Sequence, residues 1–457
     1  MKIIILGAGQ VGSNLASSLV SEANDITVVD IDEAKLAWLQ DRYDLRTVCG
    51  PASHPSILRQ AGAEDADMLV AVTQNDEINM LACKLAATLF NIPTKIARIR
   101  SVDYMQHAAL FAPENMAVDY VISPEQEVTD YLRRLIDYPE ALQVVDFAEG
   151  RIRLVAMRAH FGGPLVGHEL RDIRKHLPKL DARVAAVFRR DRMFVPEGRT
   201  VIEDGDEVFF LAATENIRAV MKEMRRADKS VRRVMIAGGG NIGSRLAANL
   251  EQDYEVKLID RNKKNAENLA ARLKQCLVLV GDATDEELLL QEGIEDMDVF
   301  CALTNDDEDN IMAALLAKRM GARKVVALIN RSTYVDLLQG GDIDIALSPA
   351  QATIGPLLTH IRRGDLAAVH SLRRGAVEAM EAVVHGDRNA SRLVGRRIEE
   401  VELPEGVSIG AILRGDEVMI AHHDTSIEAG DHIILFVPNK RLIPKVEKLF
   451  QVGLGFF

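Results

Sequence analysis

Short apolar runs alternate with helical patterns along the first 120 residues. Ile3-Ile4-Ile5-Leu6 has the length and composition of a buried strand, and Ile26 to Asp30, Arg46 to Cys49, Met68 to Val72 and Lys95 to Ile99 read as four further strands. After the fourth run, Ile78, Leu81, Leu85 and Leu89 recur at helical spacing. Strands and helices in this alternation predict an α/β fold with a parallel sheet, whose ligands bind at the carboxyl ends of the strands.

Gly7 stops the first run, and Gly7, Gly9 and Gly12 fall in the G-x-G-x-x-G spacing at a helix start. In that pattern Gly7 permits a tight turn, Gly9 lets the backbone approach a pyrophosphate, and Gly12 lets helix and strand pack closely. The helix N-terminus offers free N–H groups to the anion. Asp30 ends the second strand 18 residues beyond Gly12, near where a dinucleotide fold places the carboxylate for a ribose diol. An acid there repels a 2′-phosphate and favours NAD or an adenosine nucleotide over NADP. Taken alone, Asp30 also reads as the start of a loop.

The pattern then returns. GAGQVGSNLA at Gly7 to Ala16 reappears as GGGNIGSRLA at Gly238 to Ala247, identical at six of ten positions. Asp30 returns as Asp260, Gly50-Pro-Ala-Ser as Gly281-Asp-Ala-Thr, Thr73-Gln-Asn-Asp-Glu as Thr304-Asn-Asp-Asp-Glu, and Arg100-Ser101 as Arg331-Ser332. The offset is 231 residues throughout and slips by one at Asp30. Five elements in register predict two tandem Rossmann-type units. The intervening segments also match. Leu165-Val-Gly167, Val184 to Phe188 and Glu203-Asp-Gly-Asp206 correspond to Leu393-Val-Gly395, Ile409 to Leu413 and Glu428-Ala-Gly-Asp431, each set a small β-rich module. Length alone suggests roughly three domains. The repeat instead predicts four modules in N–C–N–C order, over 1–123, 140–225, 232–348 and 366–453, with Met224 to Arg233 as a charged link between the halves.

Composition narrows the function. A net charge of −13 argues against a general nucleic-acid binder. No apolar run reaches the 18 or so residues needed to span a bilayer and no signal-peptide pattern opens the chain, which predicts a cytoplasmic protein. Cys49, Cys83, Cys276 and Cys301 form no C-x-x-C pair and read as buried reduced thiols. No G-x-S-x-G, P-loop or H-E-x-x-H occurs, and no histidine lies between Val231 and Ala350. The expectation is therefore no catalytic residue and no metal site. His422-His423 reads as solvated surface. A dehydrogenase would need a substrate domain with an acid–base group, and the β-rich modules look too small for one.

Thr73, Gln74, Thr304 and Asn305 sit at strand carboxyl ends and read as nucleotide contacts. Arg98 reads either as a pyrophosphate partner or as a surface ion pair, with nothing basic at the matching place near Ile329. Asp282 lies where an adenine amino group could be accepted, and Pro51 replaces it in the first unit, so the two sites are expected to be unequal. The acidic run Asp306 to Asp309 reads as a helix cap rather than a cation site. Ser123-Pro124 and Ser348-Pro349 open crossover helices, either as plain boundaries or as dimerisation elements.

These features resemble the regulator-of-potassium-conductance (RCK) family, in a tandem N–C–N–C form that covers essentially the whole chain. The resemblance implies a non-catalytic cytoplasmic protein, peripheral on the cytoplasmic face of the inner membrane. It implies binding of NAD(H), and in some members ATP or ADP. It implies a homotetrameric ring that gates a potassium-translocating membrane subunit. By the same resemblance Gly7, Ala8, Gly9, Gln10, Val11, Gly12, Asp30, Thr73, Gln74 and Arg98 would hold the first nucleotide. Gly238, Gly239, Gly240, Asn241, Ile242, Gly243, Asp260, Asp282, Thr304 and Asn305 would hold the second. An NAD-dependent oxidoreductase and a soluble sensor with other partners are the alternative readings.

Overall fold

The computed structural model describes residues 1–20, 24–172, 181–190, 192–222, 224, 230–338, 341–362, 366–372 and 377–452. Half of the charged link predicted between the halves, residues 225–229, lies outside the described residues.

Six strands form the first sheet: β1 (Lys2–Leu6), β2 (Asp25–Asp30), β3 (Arg46–Cys49), β4 (Met68–Ala71), β5 (Thr94–Arg98) and β6 (Tyr120–Ile122). All pair in parallel, in the order β3-β2-β1-β4-β5-β6. The order reverses between β1 and β4, which opens a crevice at their carboxyl ends. Four helices follow strands: α1 (Gln10–Val20), α2 (Glu33–Gln40), α3 (Pro55–Gln60) and α4 (Asp76–Phe90). Polar side chains start two of them. Asp32 accepts from the N–H groups of Ala34 and Lys35 ahead of α2, and Asn75 accepts from Ile78 ahead of α4. After the short α5 (Val102–Met105), α6 (Pro124–Asp137) starts at the proline that follows Ser123.

An antiparallel sheet comes next, from β7 (Ala141–Phe147), β8 (Ile152–Arg158), β9 (Ala182–Arg189), β10 (Arg192–Phe194) and β11 (Glu207–Ala213), in the order β10-β9-β11-β8-β7. The second half repeats both sheets. Strands β12 (Arg233–Ala237), β13 (Glu255–Asp260), β14 (Leu277–Val280), β15 (Val299–Ala302), β16 (Lys324–Leu328) and β17 (Ile345–Leu347) form a parallel sheet in the order β14-β13-β12-β15-β16-β17. Strands β18 (Leu366–Leu372), β19 (Val377–Val383), β20 (Ser408–Arg414), β21 (Glu417–Ile420) and β22 (His432–Val437) form the second antiparallel sheet.

The chain does not divide at its sequence midpoint. It forms two compact units, Met1–Arg133 with Arg232–Ile361, and Arg134–Val231 with Arg362–Phe457. Like modules pair with like.

In the first unit the helix Pro349–Ile361 packs on α1, and its His360 ring stacks on Tyr120 at 3.8 Å between centroids. From the other side, Arg133 of α6 donates to the Asn249 carbonyl and pairs with Asp253 at 2.6 Å. Arg245, on the helix Asn241–Leu250, donates to the Arg100 carbonyl at 2.8 Å and to Gln126 Oε1 at 3.2 Å. The crossover helices thus join the two parallel sheets within one chain.

In the second unit the antiparallel sheets share one apolar core, in which Phe147, Leu154 and Leu211 meet Leu372, Ala379 and Phe436. Arg362 and Glu378 form a buried pair at 2.6 Å, 1% and 2% exposed. Glu381 accepts from the Ala148 N–H at 2.7 Å and contacts His432 Nδ1 at 2.6 Å.

The expectation of four buried thiols is corrected. Cys83 and Cys301 are buried, but Cys49 on edge strand β3 is exposed and Cys276, just before edge strand β14, is half-buried. Edge strands leave side chains open to solvent that central strands cover on both faces.

Candidate functional site

Gly7 has φ +107°, and Gly238 repeats it at +105°, in the left-handed region that glycine adopts without strain. A Cβ on Gly12 would lie 1.9 Å from the Gly7 carbonyl oxygen, and one on Gly243 would lie 1.9 Å from that of Gly238. Only glycine lets helix and strand approach so closely. Gly9 and Gly240 have nothing within 4 Å of where a Cβ would stand. The loop is tight where it must turn and open where an anion would come. Gly240 caps its helix with no side-chain bond, so the first N–H groups of the helix Asn241–Leu250 have no side-chain cap.

The acids hold these loops in place. Asp30 Oδ2 accepts from the Ala8 N–H at 2.6 Å while Oδ1 accepts from the Asp32 N–H. Asp260 Oδ2 accepts from the Gly239 N–H at 2.9 Å, and its Oδ1 from the Asn262 N–H. Asn265 adds a bond to Asp260 at 2.8 Å that the first half lacks. Gly239 stands where the first half has Ala8. A Cβ there would lie 2.5 Å from Leu269 and 2.7 Å from Asp260, so the second loop is the more crowded.

A clamp missed in the sequence fixes the threonines. Asn79, fully buried, accepts from both the N–H and hydroxyl of Thr73 and donates to the carbonyls of Thr73 and Arg98. Asn310 does the same for Thr304 and donates to Leu328 O at 2.8 Å. Asp76 accepts from the N–H groups of Arg100 and Ser101, and Asp307 from those of Asn330 and Arg331. Asp76 and Asp307 lie within the two repeated motifs, and Asn79 and Asn310 recur two residues beyond them at the same 231-residue offset, which was the available signal. Asp306 accepts from the Asp309 N–H, as a cap should. Among the described residues no cluster of acids, histidines or cysteines is placed to hold a metal ion.

Both crevices of the first unit open into one cavity of about 770 Å³. That volume suits one small ligand or cofactor, for which pockets run roughly 300–1,000 Å³. The first half contributes Gly7, Gly9, Gln10, Val11 and Asp30, with Thr73, Gln74 and Arg98 across the gap. The second half contributes Gly240, Asn241, Ile242, Thr304 and Asn305. Ala8, Gly12, Gly238, Gly239, Gly243, Asp260 and Asp282 lie outside the cavity wall. The cavity therefore belongs mainly to the first crevice.

Arg98 is not a surface ion pair. It meets Glu125 at 3.3 Å with the two side chains 17% and 12% exposed, and burial pushes its pKa down. Its Nε has no hydrogen-bond partner. Lys35 and Arg100 also line the wall, which makes the first crevice the more cationic side of the cavity. In the second half Ile329 is fully buried, and the basic group comes from elsewhere. Arg261 pairs with Asp282 at 3.0 Å and with Asp309 at 2.7 Å. Asp282 also accepts from the Thr284 N–H and hydroxyl. The carboxylate expected to receive an adenine amino group is already engaged.

Comparison with known proteins agrees with this arrangement. The TrkA-N domain model matches residues 3–124 and 234–349, and the TrkA-C domain model matches 154–225 and 388–451. The chain is 60% identical over 457 residues to the Trk system potassium uptake protein TrkA of Halomonas elongata, covering all of both chains. It is 52% identical to that of Haemophilus influenzae, again covering all of both. Among solved structures it superposes on the RCK domain of GsuK with a TM-score of 0.60 at 20% identity, covering 98% of this chain and 94% of that one. The GsuK channel bound to NAD also gives 0.60, over 98% and 78%. At that identity the likeness concerns the fold.

Proposed function

The chain belongs to the TrkA family of Trk system potassium uptake proteins, and from that premise we propose that it is a nucleotide-responsive gate on a potassium-translocating membrane subunit. The family is named for potassium uptake and not for a reaction, and the reading without catalytic residues stands with it. The ligand of choice is NAD(H), with ADP or ATP as competitors at the same crevices. One observation carries this reading. Two glycine loops, each tied by its N–H to an acid at the end of the second strand, open into one shared cavity.

The residues present fit a nucleotide. The open sides of Gly9 and Gly240 leave room for phosphates, and the helix N–H groups and Arg98 supply positive charge. Asp30, on the cavity wall, keeps acceptor capacity for a ribose diol. Because the parallel sheets are locked together by Arg133, Arg245 and the helix Pro349–Ile361, a ligand at the shared cavity acts on both at once. It shifts the assembly only as far as it binds one conformation better than the other. The proposed assembly is a homotetrameric ring, peripheral on the cytoplasmic face of the inner membrane. Modules over 1–123, 140–225, 232–348 and 366–453 are the proposed domain bounds.

Calorimetric titration of the intact chain with NADH, NAD, ATP and ADP tests the reading. Saturable binding of at least one is expected, together with a change in potassium flux through the co-reconstituted membrane subunit. Failure of all four to bind would remove the basis of the proposal.

A further inference from the structure

Beyond the ribose-binding acid, three positions of the repeat stand together at the far end of each crevice. The halves fill them with opposite chemistry. In the first half they are Ile31, Pro51 and Ile78, all apolar and all on the cavity wall, with Ile31 75% exposed. In the second half the same register gives Arg261, Asp282 and Asp309, and none of these lines the cavity. The Arg261 guanidinium spans from the loop after β13 to the loop after β14 and the first turn of the helix Asp307–Arg319. Its Nε and Nη2 lie 3.0 and 3.1 Å from the two Asp282 oxygens, and its Nη1 lies 2.7 Å from Asp309.

We propose that Arg261, gripped by Asp282 and Asp309, is the specificity-determining latch of the second crevice. It closes the base end there, whereas the Ile31, Pro51 and Ile78 slot of the first crevice stands open. This inference rests on the nucleotide-binding reading above. An uncharged planar base gains by covering exposed apolar side chains, and Ile31 offers such a surface without first breaking any contact. At the second crevice a base must first prise the arginine from two carboxylates that occupy both of its edges. The chain is thus built to fill the first crevice before the second. The second answers to ionic strength, because partly exposed ion pairs loosen as salt screens them.

The test is calorimetry with ADP on the intact chain carrying Asp30→Lys, which disables the first crevice and leaves the second to be read alone. Adding Arg261→Ile should raise the residual affinity roughly tenfold, and 0.5 M sodium chloride should shrink that gain. Asp309→Asn keeps the side-chain size, weakens one grip, and should act in the same direction by about threefold. Unchanged or weaker binding in the Arg261→Ile protein would overturn the latch and make the arginine a bystander or a direct ligand. If the unsubstituted chain binds ADP but this gain is absent, only the latch falls. If the unsubstituted chain binds no nucleotide, the underlying reading falls with it.

Discussion

Asp30 accepts a hydrogen bond from the backbone N–H of Ala8 at 2.6 Å, so the acid at the end of β2 fixes the glycine loop at the end of β1. The same bond recurs between Asp260 and Gly239 at 2.9 Å. One carboxylate therefore has two tasks, holding the loop and keeping lone pairs for a ribose. Replacing Asp30 with lysine should weaken NADH binding by about 10- to 100-fold, the usual worth of hydrogen bonds to a charged acceptor. Because the cavity belongs mainly to the first crevice, Asp260→Lys should weaken it less. Titration of both variants checks the ranking, and equal losses would contradict it.

Gly12 offers a cleaner steric test. A methyl group there would meet the Gly7 carbonyl oxygen at 1.9 Å, and neither backbone segment can move without disturbing β1. Gly12→Ala should cost at least about 1–3 kcal/mol and lower the melting temperature. Gly9→Ala, with nothing within 4 Å, should leave stability nearly unchanged while hindering phosphate approach. Differential scanning calorimetry beside nucleotide titration separates the two effects.

The buried pair Arg362 and Glu378 should be costly to break and cheap to replace. Glu378→Ala removes the buried carboxylate that faces a guanidinium 1% exposed, with an expected loss of about 3–5 kcal/mol. Changing both partners to methionine should recover most of that stability. A thermal unfolding comparison of the single and double variants would expose an error in this assignment.

His370 supplies a pH dependence. Its Nε2 sits 3.1 Å from the Asp146 carbonyl oxygen, and burial pushes its pKa down to about 4. The unfolded chain then binds a proton that the folded chain refuses, so stability is full above about pH 6.5 and falls as pH drops toward 4. His370 as a whole residue is only partly buried, which discounts the loss to roughly 1–3 kcal/mol. Denaturant titrations at pH 7 and pH 5 should show a smaller difference in His370→Gln than in the unsubstituted chain.

Much of this protein was legible from its residues. The first five strands were specified to within a residue or so, β1, β2, β4 and β5 because a strand buried on both faces must be apolar in its interior, whereas the three-residue β6 was not read from the sequence. The 231-residue repeat carried the glycine loops, their acids and the threonines, since each depends on contacts within one sheet. Even a chemical difference between the two crevices was visible at Pro51 and Asp282.

Other features depend on residues far apart in the chain, which no local pattern can bring together. The order N–C–N–C gave no sign that like modules would pair. That pairing comes from complementary surfaces such as α1 with the helix Pro349–Ile361, or Phe147 with Leu372. The Asn79 and Asn310 clamps were hidden because a buried amide and a solvated one are spelled alike. Asp282 looked free in the sequence. Only the fold set Arg261 against it, because an ion pair across two loops and a helix start is fixed by where the strands end and not by spacing along the chain.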